Sequence, residues 1–132
     1  MKTEDVELVE SNEIMSFRKM VKPEDLNAAN CLFGGEMMKW LDEAAAIYVI
    51  CKLKTTNIVT LKVSELIFKN PGYQGDVVEF YCSTSRIGKT SYTVAISART
   101  KEICKPSRDI VTAELVFVKI DEDGNPTPHG LK

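Results

Sequence analysis

The sequence predicts an α+β fold: one long helix held by an antiparallel sheet of about five strands. Three observations carry this. The stretch from Asn30 to Cys51 is the one long segment that reads well as helix; the pair Gly34-Gly35 marks its start, and no Gly or Pro follows within it for about four turns. Nearly everything after it alternates as strand, punctuated by turn residues. At 132 residues the chain is long enough for one real core and too short for two, so 1–132 is read as a single domain.

Taken in order, residues 1–11 are polar and acidic and read as a flexible arm. Glu13 to Val21 alternates imperfectly and gives the first strand, stopped by Lys22-Pro23 because proline cannot continue a ladder. Pro23 to Asn30 is a polar linker with room for a short helical turn. In the helix, at roughly 100° per residue, Glu36, Lys39 and Glu43 share a sector of about 60°. Met37, Leu41, Ala44, Ala45 and Tyr48 lie opposite, with Trp40, Ala46, Ile47, Val49 and Ile50 between. Only a narrow stripe is therefore expected to be wet, and the helix to be wrapped rather than leaned on. Asp42 falls at the edge of that stripe.

The remaining strands are Asn57 to Phe68, Asp76 to Ser85, Ser91 to Thr100 and Ile110 to Ile120. In the first of these the alternation Val59, Leu61, Val63 breaks at Ser64-Glu65, which marks a bulge or a site. Asn70 to Asp76 is a loop, Arg86 to Thr90 a hairpin with Gly88 in its turn, and 121–132 a polar, flexible tail. One helix and five strands leave a sheet edge and a helix flank uncovered. Pairing two copies edge to edge removes both, so a homodimer or a larger homo-oligomer (tetramer or hexamer) is expected.

Composition narrows the function classes. A net charge of -2 with interleaved signs shows no basic stripe for a nucleic acid. The apolar run Ala44 to Cys51 is far short of a membrane span, so no membrane partner is expected. The acidic start is wrong for a signal peptide, which points to the cytoplasm. Four cysteines stand 20 or more residues apart and the lone histidine is His129, so no zinc spacing exists and neither a metal nor a cofactor is expected.

Several residues invite a chemical reading beside a plain one. Gly34-Gly35 could serve a tight turn only, or could open the helix amides to a ligand. Asp42 could be a boundary carboxylate or a working one. Cys31 sits near a helix start, where a thiol can be activated, but no histidine is near it and a packing role fits better. Ser64 and Glu65 could flank a site. Arg86, Gly88, Lys89, Thr90 and Ser91 have the chemistry of a phosphate cradle; a solvated hairpin tip is the other reading, and Lys69 is similar. Phe68 and Tyr73 fit packing or the wall of an apolar tunnel, and Glu43 a solvated charge.

Three motifs in the same order carry a resemblance. Leu-Phe-Gly-Gly-Glu-Met-Met-Lys-Trp-Leu-Asp-Glu-Ala-Ala-Ala (32–46), Pro-Gly-Tyr-Gln-Gly-Asp (71–76) and Arg-Ile-Gly-Lys-Thr-Ser (86–91) resemble those of hot-dog-fold acyl-CoA thioesterases, the YciA and brain acyl-CoA hydrolase type. The resemblance spans residues 13–120. It implies hydrolysis of an acyl-CoA at an interface between two subunits. Asp42 matches the catalytic acid, as general base or as nucleophile. Gly34 and Gly35 match the amides that polarise the thioester carbonyl, with Phe33 and Cys31 beside the acyl group. A second polar residue that many members take from the partner subunit aligns on Cys31, with Asn30 next to it as the substitute. The alternative is a non-catalytic acyl-CoA or fatty-acyl sensor on the same fold.

Overall fold

The computed structural model describes residues 12–131; the acidic stretch 1–11, read above as an arm, lies outside them. Strand β1 (Ile14–Met20) leads through a 3-10 turn at Pro23–Asp25 to helix α1 (Gly34–Leu53). Four strands follow: β2 (Ile58–Phe68), β3 (Val77–Ile87), β4 (Ser91–Thr100) and β5 (Asp109–Lys119). All pair antiparallel in one sheet of order β1-β3-β4-β5-β2, with α1 packed across one face. This is the architecture read from the sequence.

The core forms where the inward row of each strand meets the buried stripe of α1. Met37, Trp40, Leu41, Ala44, Ala45, Tyr48 and Val49 recur at the three- and four-residue spacing of a single helix face. They meet Val78, Phe80, Val94, Ile96, Leu115 and Phe117 from the three central strands. Ala44 and Ala45 carry no bulk, so the sheet approaches closely; Ser16 Oγ donates to the Ala44 carbonyl at 3.0 Å, and Cys82 Sγ lies 3.9 Å from that oxygen. Burial pushes the Cys82 thiol up to about 11, which keeps it an inert packing group.

α1 begins at Gly34, at the glycine pair that marks its start in the sequence. The preceding donors are spent elsewhere: the Leu32 amide donates to the Gly72 carbonyl at 2.7 Å and the Phe33 amide to the Asp25 carbonyl at 2.9 Å. The structure corrects two details: first, the protomer does not wrap its helix. Met38 is 42% exposed, Asp42 and Glu43 are exposed, and Ala46, Ile47 and Ile50 are half-buried. A single twisted sheet covers one helix face, and here the opposite flank stays open. Second, β2 carries two bulges, not one. Its pairing with β5 slips between Thr60 and Lys62 as well as between Ser64 and Ile67, where Glu65 has φ 53°. Each bulge shifts side-chain parity, so Val59 and Val63 end on opposite faces.

Residues 121–131 are attached to the body. An isolated bridge joins Ile120 to Pro126, and the Thr127 amide donates to the Lys119 carbonyl at 2.9 Å.

Candidate active site

At the start of α1, the Glu36 and Met37 amides both turn back to the Phe33 carbonyl. No side chain caps the helix. The Gly34 and Gly35 amides are therefore the first-turn donors with no acceptor built for them, at the positive end of the helix dipole. The two glycines differ. A Cβ on Gly35 would stand 2.7 Å from the edge of the Phe33 ring, whereas one on Gly34 would meet Phe68 at an ordinary 3.7 Å. Phe33 and Phe68 are both exposed and frame this end of the helix in apolar surface. Lys69, Asn70 and Pro71 join Phe68 around a shallow depression of about 270 Å³.

The loop before the helix is organised by a residue that sequence reading left in the linker. Asn27 Oδ1 accepts from the Ala29 amide at 2.8 Å and the Cys31 amide at 3.2 Å, and lies 3.8 Å from Cys31 Sγ. The Asn27 amide donates to the Cys31 carbonyl and its own carbonyl accepts from the Asn30 amide. This closed knot requires a left-handed residue, and Asn30 supplies it at φ 64°, a conformation asparagine tolerates. Cys31 is half-buried within the knot. The available signal was the Asn-Ala-Ala-Asn sequence, an Asx turn waiting for its geometry.

Asp42 lies two turns along the helix, on its open flank. Its Oδ1 accepts from Thr60 Oγ1 at 2.7 Å. Thr60 faces the helix because it pairs with inward-facing Phe117 just before the first β2 bulge. Simple alternation would have sent it outward with Lys62, so Thr60 was not legible as a partner. The hydroxyl fixes one carboxylate oxygen and leaves the other free. Seven residues separate Asp42 from Gly35, a rise of about 10 Å along the axis. Within one protomer the carboxylate and the glycine amides cannot reach the same carbonyl.

The other candidates divide. Ser64 and Glu65 sit at the second β2 bulge; Ser64 pairs opposite Glu114 on the face away from the helix, and Glu65 is exposed. Neither is brought to Asp42. The Arg86–Ser91 hairpin is: Ser91 pairs with Val118, which pairs with Val59, one row from Thr60. That is two strand spacings, about 10 Å. Arg86 and Lys89 are exposed at its end, while Thr90 and Ser91 are half-buried. Gly88 is held tight by Ser91: its amide donates to the Ser91 carbonyl at 3.0 Å, and Ser91 Oγ occupies the space a Cβ would need. Tyr73 stacks on Arg108 in the 70–76 loop, away from Asp42. A cleft of about 220 Å³ between residues 74–77 and 100–108 includes neither Asp42 nor the glycines. Among the described residues no helix is long and apolar enough to cross a membrane, and no three His, Cys, Asp or Glu side chains cluster.

With this geometry in hand, the likenesses become informative. A family model described as the thioesterase superfamily matches residues 29–106, from the asparagine knot through β4. The acyl-CoA thioester hydrolase YciA of Salmonella typhimurium is 31% identical over 115 residues, 84% of this chain and 86% of its own. The hexameric thioesterase y2039 of Yersinia pestis superposes with a TM-score of 0.83 at 28% identity, over 89% of this chain and 95% of that one. An acyl-CoA hydrolase of Staphylococcus aureus, solved with butyryl coenzyme A and coenzyme A, gives 0.79 at 26% identity, over 88% of this chain and 70% of its own. That hydrolase is also solved with alanine replacing an asparagine and, separately, an aspartate fifteen positions further on.

Proposed function

This chain belongs to the thioesterase superfamily, and on that premise we propose that it hydrolyses acyl-CoA to the free acid and CoA, at a site built by two copies. The observation that carries the proposal is the split on α1. An exposed carboxylate oriented by Thr60 and a pair of unspent glycine amides lie about 10 Å apart on one helix, too far to act on one thioester carbonyl.

The open edge supports the repair. β2 bears exposed Val59, Leu61, Val63, Ile67 and Phe68, and Met38 on α1 and Phe33 just before it are exposed as well. Exposed apolar side chains along a bare strand edge are the kind of feature a second copy covers. Antiparallel pairing of β2 with its own copy, centred near Val63, sets the Phe68 end of one strand against the Ile58 end of the other. Phe68 lies beside Gly34, and Thr60 beside Asp42. The glycine end of the copy's helix thus comes to the Asp42 of this one, and two equivalent sites form. A dimer is the minimum assembly; the likeness to the Yersinia hexamer favours six copies.

The chemistry follows from the parts. Asp42 takes a proton from water as the water attacks the thioester carbonyl, or attacks that carbon itself to give an anhydride that water then opens. The oxygen that gains charge meets the glycine amides and the helix dipole, which bind the oxyanion better than the ground-state carbonyl. Collapse breaks the C–S bond, and the departing CoA thiolate takes the proton. We assign the second polar role to Asn27 rather than Asn30 or Cys31. Asn27 precedes Asp42 by fifteen positions, the spacing of the two residues replaced in the Staphylococcus hydrolase. With Oδ1 committed to the loop, its Nδ2–H group is left to meet a ligand. The Arg86–Ser91 hairpin takes the CoA phosphates, with Arg86 and Lys89 supplying charge. The four free cysteines fit a reducing, cytoplasmic setting.

The test is Asp42→Asn. Steady-state hydrolysis across acyl-CoAs of increasing chain length should fall by roughly 10²–10⁴ in kcat, the range typical of a lost acid–base group. Assembly and CoA binding should persist. A correctly assembled variant as active as its parent overturns the assignment. A parent that binds acyl-CoA and turns over none of the panel is instead a sensor.

A further inference from the structure

His129, the one histidine of the chain, is not used by the reaction just described, yet its ring makes more directed contacts than most surface side chains. Its Nε2 is 2.9 Å from the Ser91 carbonyl oxygen, and its Nδ1 accepts from the Leu131 amide at 3.0 Å. A carbonyl can only accept and an amide N–H can only donate. These contacts match the tautomer with its N–H on Nε2. Gly130, at φ 83°, supplies the backward turn that brings the Leu131 amide to Nδ1. The ring also stands edge-on to Tyr92, centroid to centroid 6.1 Å. The backbone joins in: the His129 amide donates to the Lys89 carbonyl at 3.3 Å.

Three carbonyls of the β3–β4 hairpin tip are consequently occupied. Lys89 O is held by the His129 amide, Thr90 O by the Lys119 amide at 3.0 Å, and Ser91 O by both the Gly88 amide and the His129 ring. Two of the three depend on one residue forty positions away in sequence. The segment 121–131 is itself anchored at its other end, through Ile120 paired with Pro126 and the Thr127 amide on Lys119. It runs as a strap from the end of β5 across the back of the hairpin. The Arg86 and Lys89 side chains, both exposed, are left on the outer side.

We infer that this strap, latched by His129, is a positioning device for CoA recognition: it holds the 87–91 backbone in one shape so that Arg86, Lys89 and Thr90 meet the phosphates without first being ordered. A short exposed hairpin with two long cations would otherwise lose much of its binding energy to ordering, and a pre-set backbone avoids that loss. The inference rests on the reading of the hairpin as the phosphate subsite. The strap touches neither Asp42 nor the glycine amides, so its effect belongs to substrate affinity and not to the chemical step.

The experiment compares one acyl group carried on CoA with the same group on pantetheine, which lacks the nucleotide and its phosphates. The parent should show the lower KM for the CoA thioester. His129→Ala should raise the KM for acyl-CoA roughly fivefold to tenfold while leaving kcat within about twofold, and should leave acyl-pantetheine hydrolysis unchanged. Gly130→Ala, which strains the turn without touching the ring, should shift the same parameter in the same direction by less. His129→Gln, with an amide N–H that can still reach Ser91 O, should recover part of the loss. A His129→Ala enzyme with the parent's KM for acyl-CoA overturns the strap while the hairpin keeps its role. So does an equal loss on both thioesters, which is what general structural damage gives. A parent that does not distinguish CoA from pantetheine removes the hairpin's phosphate role, and the strap's with it.

Discussion

β1 and β2 both lie at an edge of the same sheet, yet they are finished in opposite ways. β1 is seven residues long, and its outward face is knitted to its neighbours by charge. Arg18 grips the buried Glu79 with Nε at 3.0 Å and Nη2 at 2.8 Å, Tyr81 donates to the other Glu79 oxygen at 2.9 Å, and Arg99 lies over the Tyr81 ring at 4.0 Å. Its inward Ser16 reaches the helix at Ala44. β2 has eleven residues, two bulges, a left-handed Glu65 and five exposed apolar side chains. Short charged strands resist unwanted pairing, and long apolar ones invite it. The difference supports the proposed place of the second copy: on β2, the strand that also carries the hydroxyl fixing Asp42.

Charging each edge in turn tests this comparison most severely. Leu61, 64% exposed, should tolerate Asp within the protomer and fail in the assembly. Leu61→Asp is expected to give smaller particles by light scattering and to lose at least about 100-fold in activity, the scale of removing an oxyanion donor, because each Asp42 is left without glycine amides. Met20→Asp places the same charge on the exposed face of β1 and should leave size and rate near the parent's. A result with the two variants exchanged would mean that the edges have been assigned backwards.

A finer comparison concerns Gly34 and Gly35, adjacent in sequence and unlike in surroundings. Gly35→Ala must push the Phe33 ring aside, and that ring is exposed enough to swing without unfolding anything. It then occupies the space where a thioester carbonyl would approach the amide. A loss of about tenfold in kcat with a near-normal melting temperature is expected, a fraction of the cost of deleting an oxyanion donor. Gly34→Ala, with its new methyl at van der Waals distance from Phe68, should fall within about twofold of the parent in the same assay.

How much of this was legible in the chain depends on whether the signal was local. The helix stripe from Met37 to Val49, the sheet strands and the turn at Gly88 follow periods and turn chemistry that a few residues define. The second β2 bulge could be read at Ser64-Glu65, because a serine and a glutamate interrupt an apolar row. The first could not: Thr60-Leu-Lys62 continues the alternation smoothly, and only pairing with β5 reveals the slip that turns Thr60 toward Asp42. Full wrapping of α1 was misread for a related reason. Met38 and Ile50 are apolar in sequence, but this chain's own sheet leaves the first exposed and the second half-buried. Asn27 was hidden because its role is set by backbone donors two and four residues ahead, which a composition-based reading of a linker does not resolve. The strap escaped notice because it depends on one ring meeting a carbonyl thirty-eight residues away.

The smallest expected effect isolates the β1 edge. Burial alone would push the Glu79 carboxyl up, but the Tyr81 hydroxyl, the Arg18 guanidinium and the Lys101 charge together hold it below the usual glutamate range. Its folded form therefore favours the carboxylate more than the unfolded chain does. The sign follows: the stabilisation is complete above the unfolded value of about 4.3 and is lost as pH falls through the lower folded value. Glu79→Gln keeps the shape and one hydrogen-bond acceptor but removes the charge facing Arg18, which is itself half-exposed. A cost of about 1 kcal/mol at neutral pH, or a few degrees in Tm, is reasonable for a partly screened charged hydrogen bond. Thermal melts from pH 7 downward should show the parent losing its advantage over the variant below pH ~4, with activity at neutral pH equal in both. A variant that also loses activity would tie the β1 edge to the site after all. A constant gap between the two melts across that range would mean that packing around Glu79, not its charge, secures this edge.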